Sequence, residues 1–292
     1  MVSVTILLTG ANGQLGREMV ELAQDLHLSL YAFNRSQLNI TELEQIKYAV
    51  RTINPKYIIN TAAYTAVDRA ENESELAFLI NSVGVNNLAQ VAEEYNIPLI
   101  HISTDYVFDG QKKSAYIEED ETQPLSIYGK SKLSGENLLR KTWNKHIILR
   151  VSWIFGRFGN NFVKAIIRLA KENNELEIIA DQRGAPTYTG DIALTLIKII
   201  DCLEKGQTDW GTYHYTGLPT LSWYEFAKKI VTEAKQHQLL KVKKIIPIRA
   251  SEYPSIATRP YNSELACQRI SQTFYIDPIN WSYGLKKMVH CL

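Results

Sequence analysis

A glycine-rich turn near the N-terminus constrains the fold of this chain more than any other feature. An aliphatic run over residues 2–8 is long enough for a strand buried on both faces, and the turn at residues 9–16 follows it directly, before a helical pattern. Gly10 allows a tight turn, Gly13 lets the backbone approach a pyrophosphate, and Gly16 lets the helix pack close to the strand. The pattern predicts a dinucleotide-binding unit whose helix start faces the phosphates; the alternative is a plain glycine turn.

Further strand-like runs alternate with helical patterns through the first half of the chain. They lie at residues 29–33, 57–60, 98–103 and 146–151. This alternation predicts an α/β fold with a Rossmann-type doubly wound parallel sheet. After Trp210 the rhythm breaks into short strands and helices, which predicts a smaller C-terminal α/β domain for the substrate.

We therefore expect two domains that share the chain unequally. The dinucleotide-binding domain is predicted at residues 1–151 plus about 188–212, and the substrate domain at residues 152–187 and 213–292.

Composition excludes several classes of function. The net charge of +1 in 292 residues gives no field that would attract nucleic acid or an anionic membrane. No apolar run approaches the ~20 residues of a spanning helix, and the N-terminus lacks the features of a signal peptide. The three cysteines and six histidines show no spacing for a disulfide framework or a metal site. We expect a reduced cytoplasmic protein without nucleic-acid or membrane partners and without a tightly held metal.

The end of the second predicted strand bears on the choice of cofactor. A cofactor with a free ribose 2′-hydroxyl usually meets an acidic residue here, but the chain has Asn34, Arg35 and Ser36. The Arg35 guanidinium is suited to a 2′-phosphate, which favours NADPH and leaves NADH possible; alternatively, Arg35 is a solvated loop residue. Asn39, which precedes Ile40, is placed to offer an amide to an adenine edge.

Tyr128 and Lys132 are candidate catalytic residues because they stand one helical turn apart on one face. A phenol can exchange a proton with a carbonyl or alcohol oxygen, but free tyrosine titrates near pH ~10. A nearby ammonium is expected to lower that pKa. The spacing alone is weak evidence, since Tyr224 with Lys228 shares it and a solvated helix pair is the simpler reading. Thr104, at the end of a predicted strand one loop earlier, supplies the context.

Other strand ends and loops add candidate residues. Small residues at Ala62 and Ala63 leave room for a ligand at the carboxyl end of their strand, or serve tight helix packing. Asn81 lies inside a predicted helix and could reach a backbone carbonyl near the site. Arg259 is either a surface charge or a partner for a substrate diphosphate.

Taken in order along the chain, these motifs resemble the extended short-chain dehydrogenase/reductases and, within them, the dTDP-4-dehydrorhamnose reductase family. The similarity runs from about residue 6 to residue 289. It is carried by residues 9–16, 60–68, 103–108, 128–132, 152–153, 159–162, 184–187 and 259–263.

The resemblance implies a reaction and a set of site residues. A nicotinamide cofactor would reduce C4 of dTDP-4-dehydro-L-rhamnose to give dTDP-L-rhamnose, a precursor of surface polysaccharide. Tyr128 would donate the proton, Lys132 would bind the nicotinamide ribose and lower the pKa of the phenol, and Thr104 would tune the tyrosine or hold the sugar. The cofactor would bind at Gly10, Asn12, Gly13, Gln14, Leu15, Gly16, Arg35, Asn39, Ile40, Ala62, Ala63, Tyr64, Tyr128 and Lys132. The substrate would meet Thr104, Asp105, Tyr106, Trp153, Asn161 and Arg259, and the Trp153 indole suits the apolar face of a deoxysugar.

The chain departs from the family pattern in two places. Asn39 stands where relatives often have aspartate. Some relatives dimerise through Mg²⁺ held by carboxylates, one of them near the C-terminus, whereas this chain ends in His290, Cys291 and Leu292. Glu18 is a candidate remnant of that set. We therefore predict no metal-bridged dimer, while Mg²⁺ binding and a homodimer stay open.

Two other functions remain open at this point. A related family with this fold serves as the non-catalytic regulatory subunit of methionine adenosyltransferase, and it can retain the tyrosine and lysine. The second alternative is a reductase, or an epimerase, of another 4-keto nucleotide sugar.

Overall fold

A six-stranded parallel sheet forms the centre of the protein, in a computed structural model that describes residues 4–292. The sequence predicts its first strand at residues 2–8; residues 2 and 3 lie outside the described part, and the strand runs from Thr5 to Thr9. The strands are β1 Thr5–Thr9, β2 Ser29–Phe33, β3 Tyr57–Asn60, β4 Leu99–Thr104, β5 His146–Val151, β6 Ile154–Phe155, β7 Glu175–Ile179, β8 Arg183–Gly184, β9 Thr187–Tyr188, β10 Gly211–His214, β11 Leu221–Ser222 and β12 Lys244–Ile248.

Helices cover both faces of this sheet. They are α1 Gln14–Asp25, α2 Leu43–Ile53, α3 Val67–Ala70, α4 Ser74–Phe78, α5 Gly84–Glu94, α6 Ile127–Thr142, α7 Phe162–Glu172, α8 Thr189–Glu204, α9 Trp223–Ala234, α10 Gln268–Phe274 and α11 Trp281–His290. A π-helical turn at Leu79–Val83 joins α4 to α5.

Alternate residues of the strands enter separate cores because successive side chains point to opposite faces. Ile6 and Leu8 of β1 pack in one core with Met19 of α1 and with α8. Leu7 between them packs on the other face, in a core with α2 and α5. The predicted doubly wound parallel sheet is confirmed.

The strand order β2-β1-β3-β4-β5-β10 locates the ligand crevice. From β1 the chain moves outward to β2 and then returns to the other side of β1 as β3. The crevice of an open α/β sheet lies at such a reversal, outside the carboxyl ends of the strands. Here that position is shared by the ends of β1, β2 and β3.

One strand spans a domain boundary that the sequence predicts. The predicted boundary at residue 213 falls inside β10, which pairs in parallel with β5 and extends the main sheet. Its side chains explain the position, since Tyr213 packs in the core of the sheet with Phe274 of α10. A pattern of short apolar runs does not reveal this distant pairing. We propose the same two domains with this strand moved into the first.

The C-terminal part of the chain forms a separate core beside the sheet. Helices α7, α9 and α11 pack there with Phe155 and with the parallel pair β7 and β12. Phe226 of α9 lies at its centre, fully buried, and contacts Phe155 and Trp281. This C-terminal lobe begins directly after the carboxyl end of β5.

Candidate active site

The glycine turn between β1 and α1 accepts no side chain at two of its positions. Gly10 has a φ of +78°, and a Cβ there would lie 2.5 Å from the backbone nitrogen of Ala62. A Cβ on Gly16 would lie 2.2 Å from the carbonyl oxygen of Gly10. Gly13, the residue before helix α1, has no side chain that could cap the helix. The first N–H groups of α1 therefore face the crevice, which is suited to a phosphate.

A cavity of about 490 Å³ lies beside this turn. Nine of the predicted cofactor residues line it: Gly10, Asn12, Gly13, Arg35, Asn39, Ile40, Ala62, Ala63 and Tyr64. The structure thus brings together residues from the ends of β1, β2 and β3, at the reversal of strand order. Arg35 is exposed at the cavity, and Asn39 accepts a hydrogen bond on Oδ1 from the Thr41 N–H at 3.2 Å.

Three other predicted cofactor residues lie in the turn and first helix but do not line the cavity. Leu15 is buried in the core of the sheet. Gln14 accepts a hydrogen bond on Oε1 from Asn161 Nδ2 at 2.9 Å, and Gly16 lies against the Gly10 backbone. Only the backbone of these residues is placed to serve a phosphate.

Half of the residues that line this cavity were not among the cofactor residues predicted from the sequence. They are Asn34, Leu38, Thr61, Thr65, Ala66, Arg69, Glu73, Leu76 and Ile80. Their signal is spatial, because seven of them follow β3, three of these on α3, α4 and the π-helical turn, and only the folded chain brings them to the cavity. The Tyr64 hydroxyl donates to Glu73 at 2.6 Å, a pairing that the sequence pattern does not indicate.

Asn81 holds the segment after β3 in place. Its Oδ1 accepts from the Tyr64 N–H at 2.8 Å, and its Nδ2 donates to the Tyr64 carbonyl at 3.0 Å. The same Nδ2 donates to Ser131 of α6 at 3.0 Å. The prediction that Asn81 reaches a backbone carbonyl near the site is confirmed, and the amide ties one wall of the cavity to the helix that carries Tyr128.

The cavity fits a nicotinamide dinucleotide. Gly10 and Gly16 keep the backbone of the turn close to the phosphate position. An added Cβ at either residue would collide with neighbouring backbone atoms. Arg35 and Arg69 supply positive charge to the lining, while Leu38 and Ile40 are buried apolar residues. This combination of a bare phosphate turn, an apolar slot and cations is what an adenine dinucleotide requires.

Tyr128 and Lys132 stand on α6, as the sequence predicts. Ser126 caps this helix by accepting the Gly129 N–H at 3.1 Å. The Tyr128 ring packs against the cluster that contains Tyr64 and Ile80, both of which line the cofactor cavity. The phenol is therefore beside the predicted nicotinamide end of the site.

The pKa of Tyr128 is raised to about 12, mainly by burial of the hydroxyl; its hydrogen bond with Thr104 lowers the pKa, and the charge of Asp105 raises it. The groups that shift this pKa among the described residues do not include Lys132, so its predicted effect on the phenol stays a prediction. The Nζ atom of Lys132 donates to the Ile102 carbonyl at 2.7 Å. Burial also lowers the pKa of Lys132 to about 8.

The end of β4 supplies two more of the predicted residues. Thr104 donates a hydrogen bond to Asp105 Oδ1 at 3.0 Å, and burial raises the pKa of Asp105 to about 6. Asp105 Oδ2 is buried without a hydrogen-bond partner among the described residues. Tyr106 meets the Tyr128 ring edge to face, with 5.6 Å between centroids. The structure thus brings Thr104, Asp105 and Tyr106 together around Tyr128.

A second cavity of about 590 Å³ lies in the C-terminal lobe. Its lining includes Trp223, Arg259 and Tyr261, together with apolar residues of α7 and β7. Of the predicted substrate residues, only Arg259 is part of this lining. The guanidinium of Arg259 forms an ion pair with Asp68 of α3 at 2.6 Å, so it joins the two lobes.

Two predicted substrate residues have packing roles in the structure. The Trp153 indole stacks on Trp223, with 3.4 Å between ring centroids and 9° between planes, so one of its faces is covered. Asn161 caps α7 by accepting the Lys164 N–H at 3.2 Å and donates through Nδ2 to the Gly156 carbonyl at 2.7 Å. Its further bond to Gln14 fixes α7 against the glycine turn.

Two kinds of feature are absent from residues 4–292. No group of three or more histidine, cysteine, aspartate or glutamate side chains is arranged to hold a metal ion. No helix in the same part of the chain combines the length and apolar character needed to cross a membrane.

Comparison with known proteins gives matches over almost the whole chain. Residues 4–292 match the family model described as the RmlD substrate binding domain. The chain is 46% identical over 286 residues to the dTDP-4-dehydrorhamnose reductase of Aggregatibacter actinomycetemcomitans, covering 97% of each protein. It is 38% identical over 297 residues to the enzyme of that name from Escherichia coli, covering 98% of this chain and 97% of the relative.

A solved structure agrees in fold over the same extent. The crystal structure of dTDP-4-dehydrorhamnose reductase from Bacillus anthracis in complex with NADP superposes with a TM-score of 0.91 at 38% identity. The match covers 98% of this chain and 99% of the other. The two folds are therefore the same from one end of the described chain to the other.

Proposed function

The chain belongs to the RmlD substrate binding domain family, and we propose that it is an NAD(P)H-dependent dTDP-4-dehydrorhamnose reductase. The reaction is reduction of the C4 ketone of dTDP-4-dehydro-L-rhamnose to dTDP-L-rhamnose. The observation that supports the proposal is the position of Tyr128: it stands one turn before Lys132 on α6, is hydrogen-bonded with Thr104, and packs beside Tyr64, which lines the glycine-turn cavity. Relatives at 46% and 38% identity over nearly their full length have this activity in their names.

The glycine turn and the cavity beside it hold the cofactor in this proposal. The backbone from Gly10 to Gly16 receives the pyrophosphate, and the segment from Ala62 to Tyr64 lines the path toward Tyr128. When bound, the reduced nicotinamide supplies the hydride for C4. NADPH is the preferred form, supported by exposed Arg35 at the cavity and by the NADP in the Bacillus anthracis enzyme; NADH remains a possible substitute.

Tyr128 is the proton donor. The C4 oxygen gains negative charge as the ketone is reduced, and the phenol O–H bond breaks to give that oxygen its proton. Because burial raises the pKa of Tyr128 to about 12, the phenol holds its proton until a stronger base forms beside it. The Thr104 hydroxyl, whose hydrogen bond lowers this pKa, stabilises the phenolate that is left by turning its single proton from Asp105 Oδ1 to the phenolate oxygen. A positively charged Lys132 favours the same phenolate.

The sugar nucleotide binds between Tyr128 and the second cavity. Arg259 lies at the lining of that cavity and near Tyr106, so it can meet a diphosphate between the sugar and the base. Asp105 and Tyr106 stand beside Tyr128 at the sugar end. Trp153 and Asn161 also belong to the proposed substrate set. The stack with Trp223 holds the Trp153 indole in place, and Asn161 is held as the cap of α7. We further propose a cytoplasmic protein able to form a homodimer, without an assigned role for Mg²⁺.

The test is NADPH oxidation by the purified protein with a panel of 4-keto nucleotide sugars. We expect the highest kcat/KM with dTDP-4-dehydro-L-rhamnose and formation of dTDP-L-rhamnose. Preference for another ketosugar would favour the alternative reductase. If the protein reduces none of them but changes the kinetics of a methionine adenosyltransferase, the regulatory-subunit alternative is favoured. The names of the relatives at 46% and 38% identity argue against that alternative.

A further inference from the structure

Three polar side chains form a row across the buried part of the central sheet. Thr9 of β1, Asn60 of β3 and His101 of β4 are register partners on adjacent parallel strands. All three have no exposed surface. Buried polar groups of this kind are hydrogen-bonded to one another, which restricts where each proton is held.

The orientation of the Asn60 amide is fixed by its neighbours. Its Oδ1 accepts from the Thr9 hydroxyl at 2.7 Å and from the Ala62 N–H at 3.0 Å. A backbone N–H can only donate, so the oxygen and not the NH₂ group must face Ala62. The Nδ2 of Asn60 consequently faces His101 Nδ1, at 2.9 Å.

This contact determines the tautomer of His101. Asn60 Nδ2 is a donor, so His101 Nδ1 must accept and carries no proton. The imidazole is neutral, since burial and the nearby Lys132 hold its pKa well below the usual value. Its single proton is then on Nε2, and Nε2 lies 3.3 Å from Lys132 Nζ.

We propose that the contact between Asn60 and His101 opposes protonation of Lys132, because it directs an N–H of His101 at the Lys132 nitrogen. An uncharged amine accepts this hydrogen through its lone pair while it donates to the Ile102 carbonyl. An ammonium has no lone pair, so donor faces donor. His101 is thereby a positioning residue that acts through Lys132, in the catalytic site of the proposed function.

Other groups around Lys132 also act on its protonation. Burial lowers the pKa of Lys132, and Glu136, one turn further along α6, raises it. Glu136 is itself engaged by Arg150 at 2.7 Å and by Arg140 at 2.6 Å. Further titratable groups on the elements packed here include Tyr128 of α6, Asp105 and Tyr106 after β4, Asp68 and Arg69 of α3, His146 of β5 and His214 of β10. On its other side α6 meets neutral Asn81 and Ser82, which contact Ser131 and Ser134.

The consequence is an upper pH limit for the site that depends on a histidine with no exposed surface. Above its pKa Lys132 loses the positive charge that favours the Tyr128 phenolate. Contacts that favour the uncharged amine lower the pKa of Lys132 and so lower this pH limit. Substituting His101 by a group that can accept a hydrogen bond should therefore extend activity to higher pH.

The first test needs no substitution and no turnover. In the full-length protein labelled with ¹⁵N in histidine and lysine, we expect NMR of His101 to show a neutral ring with the proton on Nε2. A proton on Nδ1, or a protonated ring at neutral pH, would overturn the proposal. This readout is independent of whether the protein reduces any ketosugar.

The second test compares His101→Gln with a matched control. A glutamine can turn its amide oxygen toward Lys132, so titration of Nζ by NMR should give a pKa higher by about one unit, a tenfold change in the proton equilibrium. The alkaline limb of the kcat/KM profile should move upward by the same amount. Thr9→Val removes a donor to Asn60 without changing the tautomer of His101, so its Lys132 titration should match the wild type. An unshifted titration in folded His101→Gln would contradict the proposal.

Discussion

The Arg259 guanidinium lies 2.6 Å from the carboxylate of Asp68, and this ion pair joins a loop of the C-terminal lobe to helix α3 of the nucleotide lobe. Asp68 Oδ1 also accepts the N–H of Ala257, at 3.1 Å. The carboxylate therefore orients both the loop backbone and its arginine. This relationship places a cation between the two cavities, where the proposed substrate carries its diphosphate.

We predict that Arg259→Ala weakens binding of the sugar nucleotide. Hydrogen bonds to charged groups contribute roughly 1.5–3 kcal/mol, so KM should rise about tenfold to a hundredfold while the dissociation constant of NADPH stays unchanged. Asp68→Asn should raise KM in the same direction by a smaller factor, because Arg259 remains but loses its partner. Arg183→Ala removes an exposed arginine paired with Glu264 and serves as the control. An unchanged KM in Arg259→Ala would remove this residue from the substrate site.

Substitution of Tyr128 by phenylalanine should separate chemistry from binding. The ring is retained, so its packing beside Tyr64 and Ile80 should persist and NADPH affinity should change little. Loss of the proton donor should lower kcat by about 10²–10⁴-fold, the usual contribution of a general acid. Steady-state kinetics and fluorescence titration with NADPH measure the two quantities. Full turnover in this variant would show that another group donates the proton.

Arg35→Asp should shift the cofactor preference toward NADH. A carboxylate at this position repels a 2′-phosphate and can accept hydrogen bonds from a free ribose hydroxyl. We expect the ratio of kcat/KM for NADPH to that for NADH to fall by tenfold or more, since one charge-assisted contact contributes roughly 1.5–3 kcal/mol. Arg51→Asp makes the same charge change at an exposed position at the end of α2. If both variants keep the wild-type ratio, Arg35 does not contact the cofactor.

The buried pair of Glu136 and Arg150 predicts an acid-sensitive stability. The pKa of Glu136 is lowered to about 2: burial raises it, but Arg150 and Arg140 lower it by more. A folded-state pKa below that of the unfolded chain stabilises the fold above about pH 4.3, and this stability is lost as pH falls toward 2. Thermal unfolding followed by circular dichroism should show Tm falling through this range.

Glu136→Gln supplies the comparison for that prediction. It leaves the buried Arg150 without its countercharge, so the free energy of unfolding at neutral pH should fall by about 3–5 kcal/mol. Its Tm should also depend less on pH below about 4.3, because the group that titrates there is gone. Glu119→Gln, in an exposed pair with Arg269, should change the free energy of unfolding by less than about 1 kcal/mol. Equal effects of the two substitutions would contradict the account.

Local sequence patterns were sufficient to predict the parts of the fold that local physics determines. The strands at 29–33, 57–60 and 146–151 have the predicted bounds. The last two are buried at every residue, and parallel strands covered on both faces need continuous apolar runs. The glycine turn was predictable because Gly10 and Gly16 sit where no other residue fits. The placement of Tyr128 and Lys132 one turn apart on the same helix was predictable from their spacing of four residues.

The remaining features depend on contacts between distant parts of the chain. The place of β10 in the main sheet arises from pairing with β5, more than sixty residues earlier. The partner of Arg259 is on α3, and the cover over Trp153 is Trp223 of α9. The pKa of Tyr128 could not be predicted either, since spacing indicated help from Lys132, whereas burial dominates and Lys132 faces Ile102 and His101.

The most direct measurement of the central claim follows the transferred hydrogen. Purified protein is supplied with dTDP-4-dehydro-L-rhamnose and NADPH that carries deuterium at nicotinamide C4, and the product is analysed by mass spectrometry and proton NMR. The account predicts dTDP-L-rhamnose with one deuterium at C4 of the sugar, formed by the wild type and far more slowly by Tyr128→Phe. A product without deuterium at C4, or deuterated product formed equally fast by both proteins, would contradict it.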